Sequence, residues 1–444
     1  MDKKMIYVAA VVVVLVAAVA VVMTMNGGDD TESVSGMDDA ELKVFGNANG
    51  DRWIDSKDVD LIKDYINDGE VVADRPLADA NQDGVIDSKD VDVVNKIING
   101  ESTTIYHINY HDVDGDAIVD QYVASTQFPI TSAITLGTGN NLMLFYCLGI
   151  YDEIKAATYA SSADAGLYGD IYLNESKVVK LGTSILEIEF EGGKVGSSDV
   201  ISKEGVTAVI ANQSTSCLPN EKDFENYGVD VIRIPASSAD RNEFTHTVML
   251  TGLLFQKLDN AEKYLGLSLE VLDYTLGKTK NASGAKAIVS TMNGYVSVGD
   301  SDYREYLSLV NVDYPIDAED LGVQKNSVKI VDYPNIYIDF EFDTIIHARS
   351  GLSYGQTPGS NADFWNTYTS KFSDWEHADS GQYVVSTSLP VALRVAYIAY
   401  TVYPELIDLN VLEDYHQEYV DDIYINDNID LSKIDFILTP EMMA

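Results

Sequence analysis

Positive charge is scarce in this chain of 444 residues: 29 Lys and Arg face 71 Asp and Glu, a net charge of −42. Such a surface repels phosphates, which excludes a nucleic-acid partner. Cysteine is scarcer still. Cys147 and Cys217 can form one disulfide or none, and no Cys-x-x-Cys offers a zinc or redox motif. The sequence also lacks a nucleophile elbow, a His-Glu-x-x-His and a phosphate-binding glycine loop. With 71 acids present, lone Asp and Glu residues identify no catalytic pair, so no catalytic residue is assigned.

What is present is apolar and acidic. Hydrophobic residues make up 46% of the chain, ample for a sizeable core. The length allows about two to three domains. The acidity suits calcium binding and an exposed, soluble surface.

Lys3 and Lys4 precede residues 6–25, an uncharged run long enough to cross a bilayer. A removed secretory signal has an apolar region of only about 7–15 residues. Residues 1–25 are therefore read as an uncleaved transmembrane anchor in the cell membrane. The positive flank stays inside, which leaves the bulk of the chain extracellular. No Cys follows to carry a lipid. Residues 26–42 are polar and rich in Gly, Ser and Asp, and read as a linker.

Residues 79–90 carry oxygen side chains at loop positions 1, 3, 5, 9 and 12, namely Asp79, Asn81, Asp83, Asp87 and Asp90. Gly84 at position 6 permits a left-handed turn, and Val85 offers its carbonyl at position 7. This spacing is that of a calcium loop. Residues 47–58 repeat it about 32 residues earlier, with Asn47, Asn49, Asp51, Asp55, Asp58 and the carbonyl of Trp53. Two calcium ions are expected. The first loop departs from the pattern twice. Asn47 removes one charge at position 1. Arg52 replaces the glycine, and a Cβ in the left-handed region costs about 1–2 kcal/mol. Each loop runs into an apolar-periodic helix, with Val59, Ile62 and Ile66 on one and Val91, Val94 and Ile98 on the other.

Two calcium loops, each followed by a single helix, resemble a dockerin over residues 43–101. The resemblance implies a small α-helical, calcium-folded plug that binds a cohesin-bearing protein. Ser56, Lys57, Ser88 and Lys89, at positions 10 and 11 of the loops, would touch that partner. Because the two pairs match, the plug would be two-fold symmetric.

Beyond it, residues 104–109 read as a strand. Asp112, Asp114 and Asp116 then suggest either a third calcium site or a Gly-tipped hairpin turn. From Ile130 onward short apolar strands alternate with helices, the pattern of α/β units and parallel sheets. Strands are expected at 133–136, 208–211, 229–234, 286–291, 295–298 and 344–348, with a helix at 142–148. Asp259, Asn260, Ala261 and Glu262 form a capping box that opens a helix to about Thr279, with Leu265, Leu269, Leu272 and Leu276 on one side.

Several segments in order resemble substrate-binding proteins of iron-siderophore, haem and cobalamin importers. They are Asp112-x-Asp-Gly-Asp-x-Ile, Leu148-Gly149-Ile150-Tyr151-Asp152-Glu153-Ile154, Tyr227-Gly228-Val229-Asp230-Val231-Ile232, and the helices around 391–407 and 415–419. The resemblance covers residues 108–430 and implies a two-lobed periplasmic-binding-protein-like fold. Lobe 1 would span 102–258, a connecting helix 259–280 and lobe 2 281–444. It further implies a metal-chelate ligand and an ABC importer permease as partner.

Ligands of open α/β sheets collect at strand C-terminal ends. The first-lobe candidates are therefore Asn140, Asn141, Ser214, Thr215 and Ser216, and the second-lobe candidates Tyr295, His347, Arg349, Ser350 and Tyr354. Arg349 could hold carboxylate or catecholate oxygens bidentately, or form an exterior salt bridge. Tyr295 reads either as a ligand contact or as a half-buried structural side chain. His347, flanked by Ile346 and Ala348, reads as a core imidazole. Trp365 and Trp375 could cover a ring ligand or pack in the core. Two other functions remain open: a dockerin-borne carbohydrate-active enzyme and a non-catalytic adhesion or scaffold protein.

Overall fold

The computed structural model describes residues 37 and 39–443, apart from 112–118, 137–138, 159–164, 175, 182–204, 214–216, 219–220, 222–223, 225–227, 300, 324–325, 355–359 and 425–428. The apolar run 6–25 and the Asp112–Asp116 motif thus lie outside the described residues. Among the described residues no helix is long and apolar enough to cross a membrane.

Each calcium-loop sequence ends in a helix, α1 (Ser56–Asp68) and α2 (Ser88–Ile98). Asp55 and Asp87 cap them, with Asp58 and Asp90 returning the reciprocal bond, so the last carboxylates of each loop also start its helix. The helices pack through Val59, Ile62, Val94 and Ile97. Ile66 and Ile98, expected on the inner faces, are exposed, each in the last turn of its helix. The described end of the expected linker is packed: Met37, Ala40 and Leu42 are buried, two of them against Phe45, Leu77 and Ile108.

An antiparallel ribbon follows, β1 (Thr103–His111) on β2 (Asp120–Phe128). The first lobe is then β3 (Ala133–Thr135), α3 (Gly139–Leu148), β4 (Ile154–Ala157), α4 (Ala165–Tyr172), β5 (Val179–Lys180), β6 (Ala208–Ala211) and β7 (Asp230–Arg233). Its five strands are parallel, in the order β5-β4-β3-β6-β7. Their short, uninterrupted apolar runs suit strands covered on both faces.

Two helices leave this lobe, α5 (Arg241–Leu254) and α6 (Leu258–Thr279). The periodicity of α6 gives its buried side, Leu265, Leu269 and Leu272. Its start differs from expectation. Lys257 is the N-cap with no side-chain bond, and Asn260 spends its amide on the Leu148 carbonyl at 2.9 Å.

The second lobe contains β8 (Ala287–Ser290), β9 (Tyr295–Ser297), α7 (Asp302–Leu309), β10 (Ser327–Lys329), α8 (Ile336–Asp339), β11 (Thr344–Arg349), α9 (Asn361–Thr369), β12 (Gln382–Ser386), α10 (Val391–Val402), α11 (Leu409–Glu418) and β13 (Ile437–Leu438). Its sheet has the order β13-β12-β11-β8, with only β13 antiparallel, and β9 pairs with β10 in a separate ribbon.

Candidate functional site

Both loops turn their side chains inward. In the second, Asp79 accepts from the Asp83 and Gly84 amides, Asn81 from Asp83, Asp83 from Val85, and Asp90 from Asn81 and Asp87. In the first, Asp58 accepts from Asn49 and Asp55, and Asp51 from Trp53. Burial pushes Asp58 and Asp79 up to about 6, and raises Asp90 as well. Carboxylates held in that state want a cation. Among the described residues Asn47 Oδ1 is buried without a hydrogen-bond donor, which is what a loop ligand oxygen at position 1 requires. The donor set therefore fits calcium, a hard cation that takes oxygen ligands. Among the described residues no three His, Cys, Asp or Glu side chains gather at one point as a metal site. Each loop would instead complete its oxygen set from Asn side chains and a backbone carbonyl.

The turn chemistry corrects one expectation. Position 4 is left-handed in both loops, at Gly50 (φ 70°) and Gln82 (φ 55°), whereas position 6 is left-handed at Gly84, φ 86°, and not at Arg52. Arg52 therefore carries no such strain and pairs with Glu41 at 3.0 Å. Ser56, Lys57, Ser88 and Lys89 are all exposed. Lys89 lies 2.6 Å from Asp83, whose acidity it strengthens, and Lys57 lies 3.2 Å from Asp55.

The C-terminal strand ends of the two lobes meet between α3 and α10. Arg394, buried at the start of α10, donates from Nη2 to Asn140 Oδ1 at 2.9 Å and to the carbonyls of Thr387 and Leu389. Arg349, 5% exposed at the end of β11, donates to the Ser290 and Ala348 carbonyls and to Ser290 Oγ, with Tyr368 stacked 4.4 Å from the guanidinium. Burial lowers its pKa to about 10. Both guanidiniums act on buried Tyr303, and Arg394 hydrogen-bonds its side chain. Among the described residues neither arginine has a carboxylate at ion-pair distance, although Asp302 lends its field to Arg394. Nε of each is buried and has no hydrogen-bond partner among the described residues.

The lobes are closed on each other. Glu305 of α7 accepts on Oε1 from Ser238 Oγ, Ala239 N and Asp240 N, and Tyr306 donates to the Ser237 carbonyl. Burial pushes Glu305 up to about 7 in spite of those donors. A tyrosine seam continues the contact. Tyr146 of α3 meets Tyr424 at 5.5 Å and Tyr168 at 5.7 Å, and the Gly166 amide donates to the Tyr354 carbonyl. The cavity at this junction, bounded by Asn140, Tyr264, Leu389 and Val391, holds about 10 Å³, room for one water at most.

The remaining candidates separate. Asn141 is buried and donates to the Leu136 carbonyl, closing the strand end rather than facing a ligand. Tyr354 is also withdrawn: it is fully buried, its hydroxyl bonded to His416 Nε2 at 2.5 Å and to Tyr424. Tyr295 is half-buried in the β9–β10 ribbon with Lys329 over its ring. His347 is a core imidazole bonded to Gln382, its pKa lowered by burial to about 3. Ser350 is exposed. Trp375 stacks on Phe342 in the core, and Trp365 packs beside Leu352. Ser214, Thr215 and Ser216 lie outside the described residues. Sequence reasoning missed Arg394, although a single charge in the apolar run 391–402 is a legible signal.

Residues 46–99 match the dockerin type I domain family. No curated protein matches the chain in sequence. Among solved structures, the TroA-like periplasmic binding protein FepB from Veillonella parvula is similar at 14% identity and TM-score 0.54, over 72% of this chain and 97% of that one. CeuE of Helicobacter pylori, in a nickel–histidine complex, gives 15% identity and TM-score 0.48 over 69% and 94%. The haem-binding protein HutB of Vibrio cholerae gives 11% and 0.45 over 62% and 99%. The chain thus contains a dockerin type I domain at residues 46–99, joined to an α/β body with the fold of TroA-like periplasmic binding proteins.

Proposed function

We propose that this chain is a membrane-anchored surface receptor that captures a chelated metal for an ABC importer. The cargo class is a ferric siderophore, haem or a corrinoid. The dockerin, with two calcium ions, docks to a cohesin-bearing protein through Ser56, Lys57, Ser88 and Lys89. The carrying observation is the pair of buried guanidiniums, Arg349 and Arg394, at the meeting point of the strand ends, without a paired carboxylate among the described residues. A buried cation in that state favours an anion as partner.

In this reading Arg349 binds the acidic edge of the ligand, held in position by Ser290 and by Tyr368 beneath it. Arg394 and Asn140 hold the lobes together until a ligand parts them. The junction cavity of about 10 Å³ admits no chelate, so loading at this point requires that parting. The α6 link, a single helix of 22 residues, keeps it modest. In the loops, calcium supplies the positive charge that lets the buried carboxylates Asp58, Asp79 and Asp90 stay ionised.

The test is a panel of ferric siderophores, haem and cobalamin, followed by tryptophan fluorescence of the whole chain. At least one should bind below about 100 µM. Arg349→Ala should weaken it by about tenfold or more, the loss of a charged hydrogen bond. If nothing binds in that range and polysaccharides release reducing sugar instead, the receptor reading gives way to the enzyme.

A further inference from the structure

We propose that the first calcium loop also clamps the docking module to the first lobe, with Asn47 as the junction. This rests on calcium filling the loops and is independent of the solute.

The segment just before that loop behaves as a short strand with two occupied edges. On one edge it joins β1: Phe45 donates to the Tyr106 carbonyl at 2.9 Å, Ile108 donates to the Lys43 carbonyl at 3.1 Å, and Val44 bridges His107. The Lys43 amide donates to His246 Nδ1 on α5 at 3.1 Å. The ribbon in turn is tied to the lobe, since Asn109 bonds the backbone of Val231 and Arg233 in β7. On the other edge the segment is held by the loop. Glu41 donates to the Gly50 carbonyl, and Asn47 Nδ2 donates to the Leu42 carbonyl at 2.7 Å and the Asp51 carbonyl at 2.5 Å.

Two carbonyl partners fix which end of the Asn47 amide is nitrogen. Its oxygen is thereby turned the other way, buried and without a donor among the described residues. One residue thus faces the lobe-bound segment with its nitrogen and the cation position with its oxygen. Asp79, its counterpart in the second loop, has no side-chain nitrogen to give, and its carboxylate accepts from Asp83 and Gly84 of its own loop. The departure from Asp at position 1 costs the loop a charge, and what it gains is a donor for Leu42.

The experiment is Asn47→Asp in the full chain. The added charge should tighten calcium binding at the first loop, since ligand charge count tunes these sites. The lost donor should loosen the clamp, so the Phe45 and Ile108 amides should exchange hydrogen about tenfold faster. In the unaltered protein, chelation should speed the same two amides and calcium should restore them. Asp90→Asn, in the second loop, should leave them unchanged. The inference is overturned if Asn47→Asp does not affect these amides, or if chelation speeds exchange only within 47–101. Calorimetry on the same samples separates the causes. A calcium heat with indifferent amides removes the clamp alone, whereas no calcium heat removes the loops' cation as well.

Discussion

Arg394 and Asn140 join the two lobes through one hydrogen bond of 2.9 Å, Nη2 to Oδ1. The same guanidinium nitrogen also serves Thr387 and Leu389. Asn140→Ala should therefore remove only the cross-lobe bond, about 1 kcal/mol, and raise the open fraction several-fold. Arg394→Ala should cost about 3 kcal/mol or more, because buried carbonyls lose their donor as well. Arg394→Lys should not restore the latch, since an ammonium lacks the planar fork. Small-angle scattering reads the opening and urea unfolding reads the stability. Equal stability losses for the two alanine variants would contradict the division of labour.

The loops predict an unusual response to acid. Asp58 and Asp79 sit at about 6, above the unfolded carboxyl. Their protonated form favours the fold, so their contribution is full below about pH 4 and is lost as the pH rises through 6. Asp90 acts in the same direction; Asp83, lowered beside Lys89, opposes it from an exposed position. With chelator present, the docking module should be more stable at pH 5 than at pH 7.5. With millimolar calcium the order should reverse, because protons then displace the cation. Helix signal on heating measures both, and a chelated protein weaker at pH 5 would rule this out.

The two loops should bind calcium unequally. The second offers four carboxylates, Asp79, Asp83, Asp87 and Asp90, and the first three, Asp51, Asp55 and Asp58. Titration should show two phases, and Asp83→Ala should remove the tighter. Arg52→Gly should not tighten the weaker phase, since Arg52 is not left-handed and its removal frees Glu41. A tighter weak phase in that variant would restore the strain argument.

Legibility followed the range of the interactions. The loop ligands lie within twelve residues of one another, so their spacing alone carries the reading. The lobes' strands stand out because their apolar runs are short and bounded by turns. Helix α5 has no such contrast: it is buried on nearly every face, so a 3.6-residue period has nothing to separate. Tyr354 was read as a ligand contact and is a core residue instead, since its partners His416 and Tyr424 lie 62 and 70 residues away. Arg52 was misjudged because the first loop is left-handed at position 4 alone, as Gly50 shows, and does not need the second left-handed turn that Gly84 makes at position 6.

The seam of tyrosines gives the lobe boundary a property an aliphatic core would lack. Tyr354, Tyr419 and Tyr424 each have a hydroxyl already spoken for by a neighbour, with Ser268 2.8 Å from Tyr419. None of those bonds reaches the first lobe, so they stay made when the halves part. The ring faces lose contact, but the polar tips lose nothing. Such a boundary resembles a zip fastener more than a weld: it stays shut by many small engagements, and a modest force at one end can run it open and let it close again.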